Sequence, residues 1–267
     1  MGERAQATVE YAGVALLVLA LLLAAATAAR ARLTAPAGGD AAYLELAARA
    51  APRFVAERGD GERPVDFRRC RNPTCARSGR PVLYVHGRPV LYVHGVRRDG
   101  FTYLEYWEYL PDSRTAHTHI PAFDGYHRDD WEGVIVKLRD DGTVVGARAS
   151  AHLGWNGRHP WWELRSGDWA GYPATVYRAS GSHAGSLRQV AIDLAGDRWD
   201  GSLPQQPPQL LPADQARRGA PAFDPGATPP WSKQVWSDPE AVTTGPPGSR
   251  ATYARYARWW SDLCLLC

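Results

Sequence analysis

The longest apolar stretch of the chain lies near its amino terminus, at residues 11–29, and carries no charged side chain. As a helix it would extend about 28 Å, close to the roughly 30 Å hydrocarbon core of a bilayer. A buried core helix needs only one apolar face, whereas this stretch is apolar on every side. The pattern therefore predicts a transmembrane helix, with a secretory peptide removed behind an Ala-x-Ala site as the alternative.

Beyond residue 63 the apolar positions come in short, extended runs separated by Gly, Pro, Asn and Asp. Short strands punctuated by turn residues are typical of a β-sandwich or barrel. We therefore predict a mainly β domain. The predicted strands are 81–86, 90–94, 101–110, 131–139, 143–152, 173–179 and 187–194.

Four further segments flank these strands. Residues 34–39 indicate a short hinge, and residues 41–58 a helix that Pro52 bends or ends. Residues 204–230 hold eight prolines without periodicity, which predicts an extended segment, and residues 250–263 predict a final helix. The expected organisation is a leader with a membrane helix (1–33), a linker or helical stalk (34–62), the β domain (63–248) and a short C-terminal helix (249–267).

One octapeptide, Arg-Pro-Val-Leu-Tyr-Val-His-Gly, occurs twice in succession, at 80–87 and 88–95. Because the shift is an even number of residues, both copies keep the same strand phase. Two copies are too few for a repeat architecture, so we expect the extra copy to lengthen a hairpin or form a loop. His86 and His94 are then duplicated strand-end residues and not ligands.

The stretch Gly125-Tyr-His-Arg-Asp-Asp-Trp-Glu132 runs directly into the strand predicted at 131–139. Asp130 and Glu132 share a face because residues two apart on a strand point the same way, and His127 precedes them. The apolar residues at 134, 136 and 138 continue that face, which makes it the core side. Carboxylates beside an apolar face are costly unless something satisfies them, and a divalent cation would do so.

Composition narrows the function classes. The formal charge of +3 is small and dispersed, without the basic block that nucleic-acid binding needs. Eleven Trp and twelve Tyr predict a core and turns rich in aromatic residues. Nearly all basic residues are Arg, since the only lysines are Lys137 and Lys233.

Four cysteines occur as two pairs, one in a polar loop and one at the carboxyl end. Outside the cytoplasm we expect a disulfide between Cys70 and Cys75, while Cys264 and Cys267 bond to each other or stay free. A zinc site formed by all four is the alternative, and it requires a reducing compartment.

The segment Gln6-Ala-Thr-Val-Glu-Tyr11 resembles the processing region of tight-adherence pilins and their pseudopilin relatives. The resemblance implies cleavage between Ala5 and Gln6, with Glu10 as the family glutamate, although the family usually has Gly before the cut. It also implies that the apolar helix at 11–29 stays in the lipid membrane. The protein would then be a single-pass cell-membrane protein with a cytoplasmic amino terminus, an extracytoplasmic main domain and pilus or secretion components as candidate partners.

The heptapeptide at 126–132 resembles the Gly-His-Arg-His-Asp-Trp-Glu motif of necrosis- and ethylene-inducing-peptide-like proteins. Residues 105–113 resemble the family strand that ends in an aspartate, and Ser-Ala-His-Leu-Gly-Trp at 150–155 resembles its Ser-Ala-His-Gly-Gly-Tyr segment. Gly-Ser-His-Ala at 181–184 resembles a later Thr-His-Ala motif. A vacuolar-protein-sorting-associated family shares the Asp-Trp-Glu and Gly-Ser-His-Ala pieces. The resemblance covers roughly residues 80–195.

This resemblance implies a lectin-like β-sandwich with a divalent cation at one end. Oxygen-rich ligation with one imidazole suits Ca²⁺, Mg²⁺ or Mn²⁺. Tyr126 replaces the first Gly of the family motif and Asp129 replaces its second His, and both are candidates for contact with the ligand or with the residues that hold the cation. The cation ligands transferred by position are Asp112, His127, Asp130 and Glu132.

Several site residues also have purely structural interpretations. Asp130 and Glu132 can pair with Arg128 or Arg139, and Trp131 is expected in the core on the opposite sheet face. His152 and His183 either contact the residues that hold the cation or are buried histidines with their own partners. Trp155 is either an exposed ring that stacks on sugar or lipid or a packed side chain.

Three functions follow from these patterns. The first is a non-enzymatic, membrane-tethered domain that uses a cation to bind a sugar or glycolipid head group. The second is a metal-dependent hydrolase with His152 or His183 as general base, for which no nucleophile motif is present. The third is a structural pseudopilin-like component of a pilus or secretion apparatus. We favour the first.

Overall fold

The computed structural model describes residues 39–56, 64–69, 88–114, 126–151, 154–156, 168–179, 181–187, 207–218 and 228–241. The chain divides into residues 1–38 and residues 39–267, and every described residue belongs to the second unit. Among these residues no helix is long and apolar enough to cross a membrane, and the span predicted at 11–29 lies outside them.

The second unit is mainly β and consists of two mixed sheets, as the sequence predicts. A 3-10 helix at Gly39–Tyr43 comes first in the chain. The other elements are α1 (Leu44–Arg49), β1 (Arg53–Ala56), β2 (Val90–Arg98), β3 (Phe101–Arg114), β4 (Tyr126–Arg139), β5 (Val144–Ala151), β6 (Gly154–Asn156), β7 (Thr175–Arg178), β8 (Gly185–Ser186), β9 (Gln209–Pro212), α2 (Ala213–Arg217) and 3-10 helices at Phe67–Arg69, Pro230–Ser232 and Gln234–Trp236.

The larger sheet has six strands in the order β6-β5-β4-β3-β2-β9, and the smaller sheet has three in the order β1-β7-β8. The long antiparallel pair of β3 and β4 forms the centre of the larger sheet. Two parallel pairs, β2 with β9 and β1 with β7, make both sheets mixed. The strands predicted at 90–94, 101–110, 131–139, 143–152 and 173–179 correspond to β2, β3, β4, β5 and β7.

The two faces of the larger sheet bury chemically different side chains. The face toward the smaller sheet is largely aliphatic and includes Leu104 and Val134 together with Val176 of β7. The opposite face is aromatic and is covered by residues 64–69, by α2 and by the segment 228–241. This division follows from the strand geometry, because consecutive side chains of a strand point to opposite faces of the sheet.

The helix predicted over 41–58 is wrong beyond residue 49. Leu44–Arg49 is helical, but Arg53–Ala56 is a strand that pairs in parallel with β7. Pro52 lies between the two and cannot continue the helix. Residues 39–56 therefore belong to the β unit and do not form the predicted stalk, because pairing with a distant strand overrides the local helical pattern.

The extended segment predicted over 204–230 also contains regular structure. Gln209–Pro212 pairs with β2 as an edge strand, and Ala213–Arg217 forms the helix that follows it. Proline is tolerated on an edge strand, so the prolines do not exclude this pairing. The strand at 81–86, most of the strand at 187–194, the helix at 250–263 and the first repeat copy lie outside the described residues.

Candidate functional site

The acidic motif lies on β4, where the strand continues past its buried apolar residues. The even-numbered side chains from 134 to 138 are buried between the sheets, which confirms the predicted core face. Asp130 and Glu132 come before them on the strand and lie opposite Leu110 and Glu108 of β3. The core face of β4 therefore ends in two carboxylates.

Asp130 is the centre of the site and is only 5% exposed. Its Oδ2 is hydrogen-bonded to Nδ1 of His183 at 2.8 Å. Its Oδ1 lies 3.9 Å from Nε2 of the exposed His127, which is too far for a hydrogen bond. One buried carboxylate thus faces two imidazoles, those of His183 and His127.

His183 reaches Asp130 from the segment beside β8. It is fully buried, with 0% exposure, and its φ of +55° is a left-handed conformation that few residues other than glycine adopt. The local backbone therefore holds this imidazole in one place against the Asp130 carboxylate.

Glu132 is held by the neighbouring strand. Its carboxylate accepts a hydrogen bond from the Ser150 hydroxyl, and Ser150 Oγ accepts the backbone N–H of Gly133 at 2.6 Å. Burial raises the pKa of Glu132 well above 4.5, and the negative charge of Asp130 raises it further. The observed partners of Asp130 and Glu132 are thus His183 and Ser150, in place of the arginine pairing considered as an alternative.

A half-buried lysine, Lys233, contacts the backbone of the acidic motif from the side of the aromatic cluster. Lys233 Nζ donates a hydrogen bond to the backbone carbonyl of Trp131 at 2.9 Å and lies 5.0 Å from the centre of the Trp107 ring. Burial lowers the pKa of Lys233, and the charges of Glu132 and Asp130 oppose that shift. Sequence reasoning missed Lys233 as a site residue, although its rarity in an arginine-rich chain is a signal.

A small pocket between the sheets opens beside the acidic motif and is lined by Glu132, Ser150, His183, Glu108 and Arg178, among others. Arg178 is 1% exposed and donates to Glu108 at 2.9 Å. The guanidinium of Arg178 thus neutralises the charge of Glu108. Among the described residues, no guanidinium lies at hydrogen-bond distance from Glu132, the other carboxylate of the pocket. Sequence reasoning missed Glu108, although the alternation of side chains along β3 would have predicted it on this face.

Two other predicted site residues, Asp129 and Asp112, are also buried. Asp129 is 3% exposed and accepts a hydrogen bond from the Tyr109 hydroxyl at 2.8 Å, which places it on the aromatic face. Tyr109 belongs to the aromatic cluster, and the expected role of Asp129 at the site stays a prediction. Asp112 is buried and lies opposite Arg128 at the end of the β3–β4 pair.

Trp155 is a packed side chain and not an exposed ring for stacking on a sugar. It is 1% exposed, and its ring meets Trp107 edge-on at 5.8 Å between centroids. Trp131 is buried on the aromatic face, as predicted. The residues that lie outside the described part, or whose side chains do, are Ala5, Gln6, Glu10, Cys70, Cys75, Tyr126, His152, Cys264 and Cys267.

The donor atoms at Asp130 fit a divalent cation in part. Within the described ranges no group of three or more His, Cys, Asp or Glu side chains converges on one point. His127 Nε2 and Asp130 Oδ1 do face each other, and two ligand bonds of about 2.0–2.6 Å can span their 3.9 Å separation. Carboxylate oxygen with one imidazole nitrogen is a donor set for Mg²⁺, Mn²⁺ or Ca²⁺.

Comparisons with known proteins gave matches among solved structures alone. A scan against protein-family models found no match, and a search of curated proteins found none. The chain is similar to NLPPya in complex with mannosamine, with 21% identity over 70% of this chain and 83% of that chain and a TM-score of 0.42. It is also similar to NLPPya in complex with glucosamine, with 21% identity over 71% and 84% and a TM-score of 0.41.

A third similar structure is Necrosis and Ethylene inducing Protein 2 from the causal agent of cocoa's Witches Broom disease. Its identity is 19% over 62% of this chain and 71% of that chain, with a TM-score of 0.36. The similarity assigns no role to any residue. These neighbours are necrosis- and ethylene-inducing toxin-fold structures, the family whose motifs this chain resembles.

Proposed function

We propose that the β unit binds a divalent cation at Asp130 and, through that cation, a polar ligand such as a sugar or a glycolipid head group. His127, Asp130 and Glu132 would hold the ion, with Asp112 as the fourth expected ligand. The bound ion would supply a localised positive charge that ligand oxygens can approach. The observation that carries the proposal is the buried Asp130 carboxylate, held on one side by His183 and facing the exposed His127 on the other.

The charge balance of the site favours this proposal. Asp130 and Glu132 lie on one face of β4, and the negative charge of Asp130 disfavours ionisation of Glu132. A divalent cation would neutralise both carboxylates together, because a bound metal ion is often the largest local charge in such a site.

The exposure of His127 indicates how a ligand reaches the ion. Its side chain is 54% exposed, while Asp130 beside it is buried, so the site opens toward solvent at the imidazole. Neutral hydroxyl oxygens, which sugars carry on adjacent carbons, can complete an oxygen-rich coordination shell. We therefore propose a sugar-bearing ligand. The mannosamine and glucosamine complexes belong to NLPPya and agree with this ligand class.

Ion binding by purified full-length protein tests the proposal. We expect the wild type to bind Mg²⁺, Mn²⁺ or Ca²⁺ in calorimetric titrations, and Asp130→Asn to lower the affinity by about tenfold or more. The matched control is Asp140→Asn, since Asp140 is 58% exposed and pairs with Arg97 away from the site. Equal affinity in the wild type and Asp130→Asn would contradict the proposal. Glycan binding that persists in the presence of a chelator would contradict its second half.

We further propose that residues 11–29 tether the β unit to the cell membrane with the unit on the extracytoplasmic side. The uncharged length of this stretch supports the proposal. We expect protease added to intact cells to remove the β unit, and carbonate extraction to leave the protein in the membrane fraction. Recovery of an intact protein in the soluble fraction would contradict the tether.

A further inference from the structure

One histidine away from the proposed cation site joins distant segments of the β unit. His94 lies on β2, and its side chain is 15% exposed. Its Nδ1 lies 2.7 Å from Oδ1 of Asp40, and its Nε2 lies 3.0 Å from the backbone carbonyl oxygen of Trp236. The imidazole thus connects the start of the β unit with the segment 228–241.

Both partners of His94 accept hydrogen bonds, and this determines its protonation state. A neutral imidazole has one N–H and one lone pair, whereas an imidazolium donates from both ring nitrogens. The carbonyl oxygen of Trp236 can only accept. The Asp40 carboxylate also acts as an acceptor, since it receives the backbone N–H of Gly95 at 3.2 Å and that of Asp214 at 3.0 Å. His94 therefore satisfies both of its contacts only as the imidazolium.

The indole ring of Trp236 favours the same charged form. It stacks on the imidazole with 3.6 Å between ring centroids and an interplanar angle of 6°. The face of an indole attracts a cation. Trp236 thus contacts the imidazolium through its ring and its carbonyl oxygen, and loss of the proton weakens both contacts.

Glu105 faces His94 from β3, because the two residues are partners in the strand register. Burial raises the pKa of Glu105 to about 7. Burial lowers the pKa of His94, but the hydrogen bond to Asp40 and the charges of Glu105 and Asp40 outweigh it and raise this pKa above 6.5. A charged Glu105 favours a charged His94, so the two protons are not lost independently.

The other elements around His94 bring charged groups that have partners of their own. These ion pairs are Asp214 with Arg218, Asp238 with Arg98, Glu240 with Lys137, and Arg97 with Asp140. Tyr43, on the same 3-10 helix as Asp40, stays neutral because burial raises its pKa. The strand β9 carries no ionisable side chain. Among the described residues, the anions that face His94 are therefore Asp40 and Glu105.

We propose that Asp40, His94 and Trp236 form a pH-sensitive clasp, which holds the segment 228–241 on the β unit while His94 is protonated and loosens it when the proton is lost. The one proton of a neutral imidazole stays at Nδ1, because the carboxylate of Asp40 is a stronger acceptor than a carbonyl group. The contact that is lost is therefore the one between His94 and Trp236. The clasp does not depend on the proposed cation.

Loss of this contact affects the cover of the aromatic face. The segment 228–241 lies on that face, where Trp231 packs edge-on against Trp131 at 5.8 Å between centroids. The stability that the clasp contributes is fully present below pH 6.5 and is lost as pH rises through the higher pKa of folded His94. Alkaline solution should therefore open the segment at Trp236 and expose indole surface there.

An NMR titration of the imidazole resonances in the full-length protein is the first test. We expect His94 to titrate above pH 6.5, and to titrate at a lower pH in Asp40→Asn, which keeps the shape of the side chain and removes its charge. The matched control is Glu45→Gln on α1, because that carboxylate is 87% exposed and its loss should leave the titration unchanged. Titration of His94 below pH 6.5 in the wild type would overturn the clasp.

Hydrogen exchange of the Trp236, Ser237 and Asp238 amides is the second test, since these N–H groups bond to carbonyls within the segment. After correction for the intrinsic rates, we expect exchange in the wild type to be about tenfold faster at pH 9 than at pH 6. The amides of β3 and β4 report changes in the stability of the whole unit and serve as the internal reference. His94→Gln, which keeps a polar side chain that cannot be charged, should exchange at the same corrected rate at both pH values.

Two results of the exchange measurement contradict the clasp. One is equal protection of these three amides at both pH values in the wild type, and the other is a pH dependence that survives in His94→Gln. If a variant does not fold, the wild-type exchange relative to β3 and β4 decides. Cation binding is measured separately, so failure of the clasp leaves the proposed function standing.

Discussion

Replacement of Glu105 by glutamine tests the electrostatics of the aromatic face. Glu105 is fully buried, and its Oε2 accepts a hydrogen bond from Trp107 Nε1 at 2.9 Å. Its Oε1 has no hydrogen-bond partner among the described residues. Burial raises the pKa of Glu105 from 4.5 to about 7, although the nearby charge of His94 and the Trp107 hydrogen bond act in the opposite direction. Glutamine has the same shape and keeps an oxygen for Trp107, but it carries no charge.

The expected change in stability follows from the pKa of Glu105 in the unfolded chain, 4.5, and in the folded protein, about 7. The folded protein holds the Glu105 proton more tightly than the unfolded chain does. The contribution of Glu105 to stability is therefore greatest below pH 4.5 and is lost as pH rises through 7. At about 1.4 kcal/mol per pKa unit, the folded state loses about 3 kcal/mol by pH 8 relative to pH 4. Glu105→Gln removes this penalty. We therefore expect it to stabilise the protein by about 2–3 kcal/mol at pH 8 and by less than about 1 kcal/mol at pH 5.

Urea unfolding at pH 5 and pH 8 measures both effects, with the stability difference between the two pH values as the readout. The matched control is Glu45→Gln on α1, because that side chain is 87% exposed and should leave the stability unchanged at both pH values. The reasoning is refuted if Glu105→Gln has the same effect at both pH values, since the carboxyl group would then not be titrating in this range.

Two further predictions concern packing beside the site. Arg178→Met should destabilise the protein by about 3 kcal/mol, because it leaves Glu108 as a buried charge without its guanidinium, and adding Glu108→Leu should recover part of that loss. Urea unfolding of the single and double variants checks this, and a cost below about 1 kcal/mol in the single variant contradicts it. Gly133→Ala should cost about 1–3 kcal/mol in thermal unfolding, since its Cβ would lie 2.7 Å from the buried Trp107 ring. Gly171→Ala, which meets nothing within 4 Å, is the control, and equal melting temperatures for the two variants would contradict the expected clash.

The local pattern of β4 was sufficient to predict one side of the site. Because side chains alternate along a strand, the spacing of Asp130, Glu132 and the apolar residues after them placed the carboxylates at the end of a core face. The same alternation placed Trp131 on the opposite face, and the structure confirms both.

The partners of these residues did not follow from any local pattern. His183 is 53 residues from Asp130 in sequence, and Lys233 is 102 residues from Trp131. The resemblance pointed to His183, whereas only the structure shows that Lys233 donates a hydrogen bond to the carbonyl of Trp131. Such contacts depend on which segments cover each sheet, and that choice is made by pairing and burial across the whole unit.

The sequence by itself thus determined the mainly β fold, the two faces of β4 and the chemistry of the acidic motif, because each of these depends on residues that are close together in the chain. Tertiary structure alone decided that Arg53–Ala56 is a strand, that Trp155 is buried and that His183 is hydrogen-bonded to Asp130. The physical reason is that hydrogen-bond partners and burial are supplied by distant segments, whose arrangement minimises the free energy of the unit as a whole.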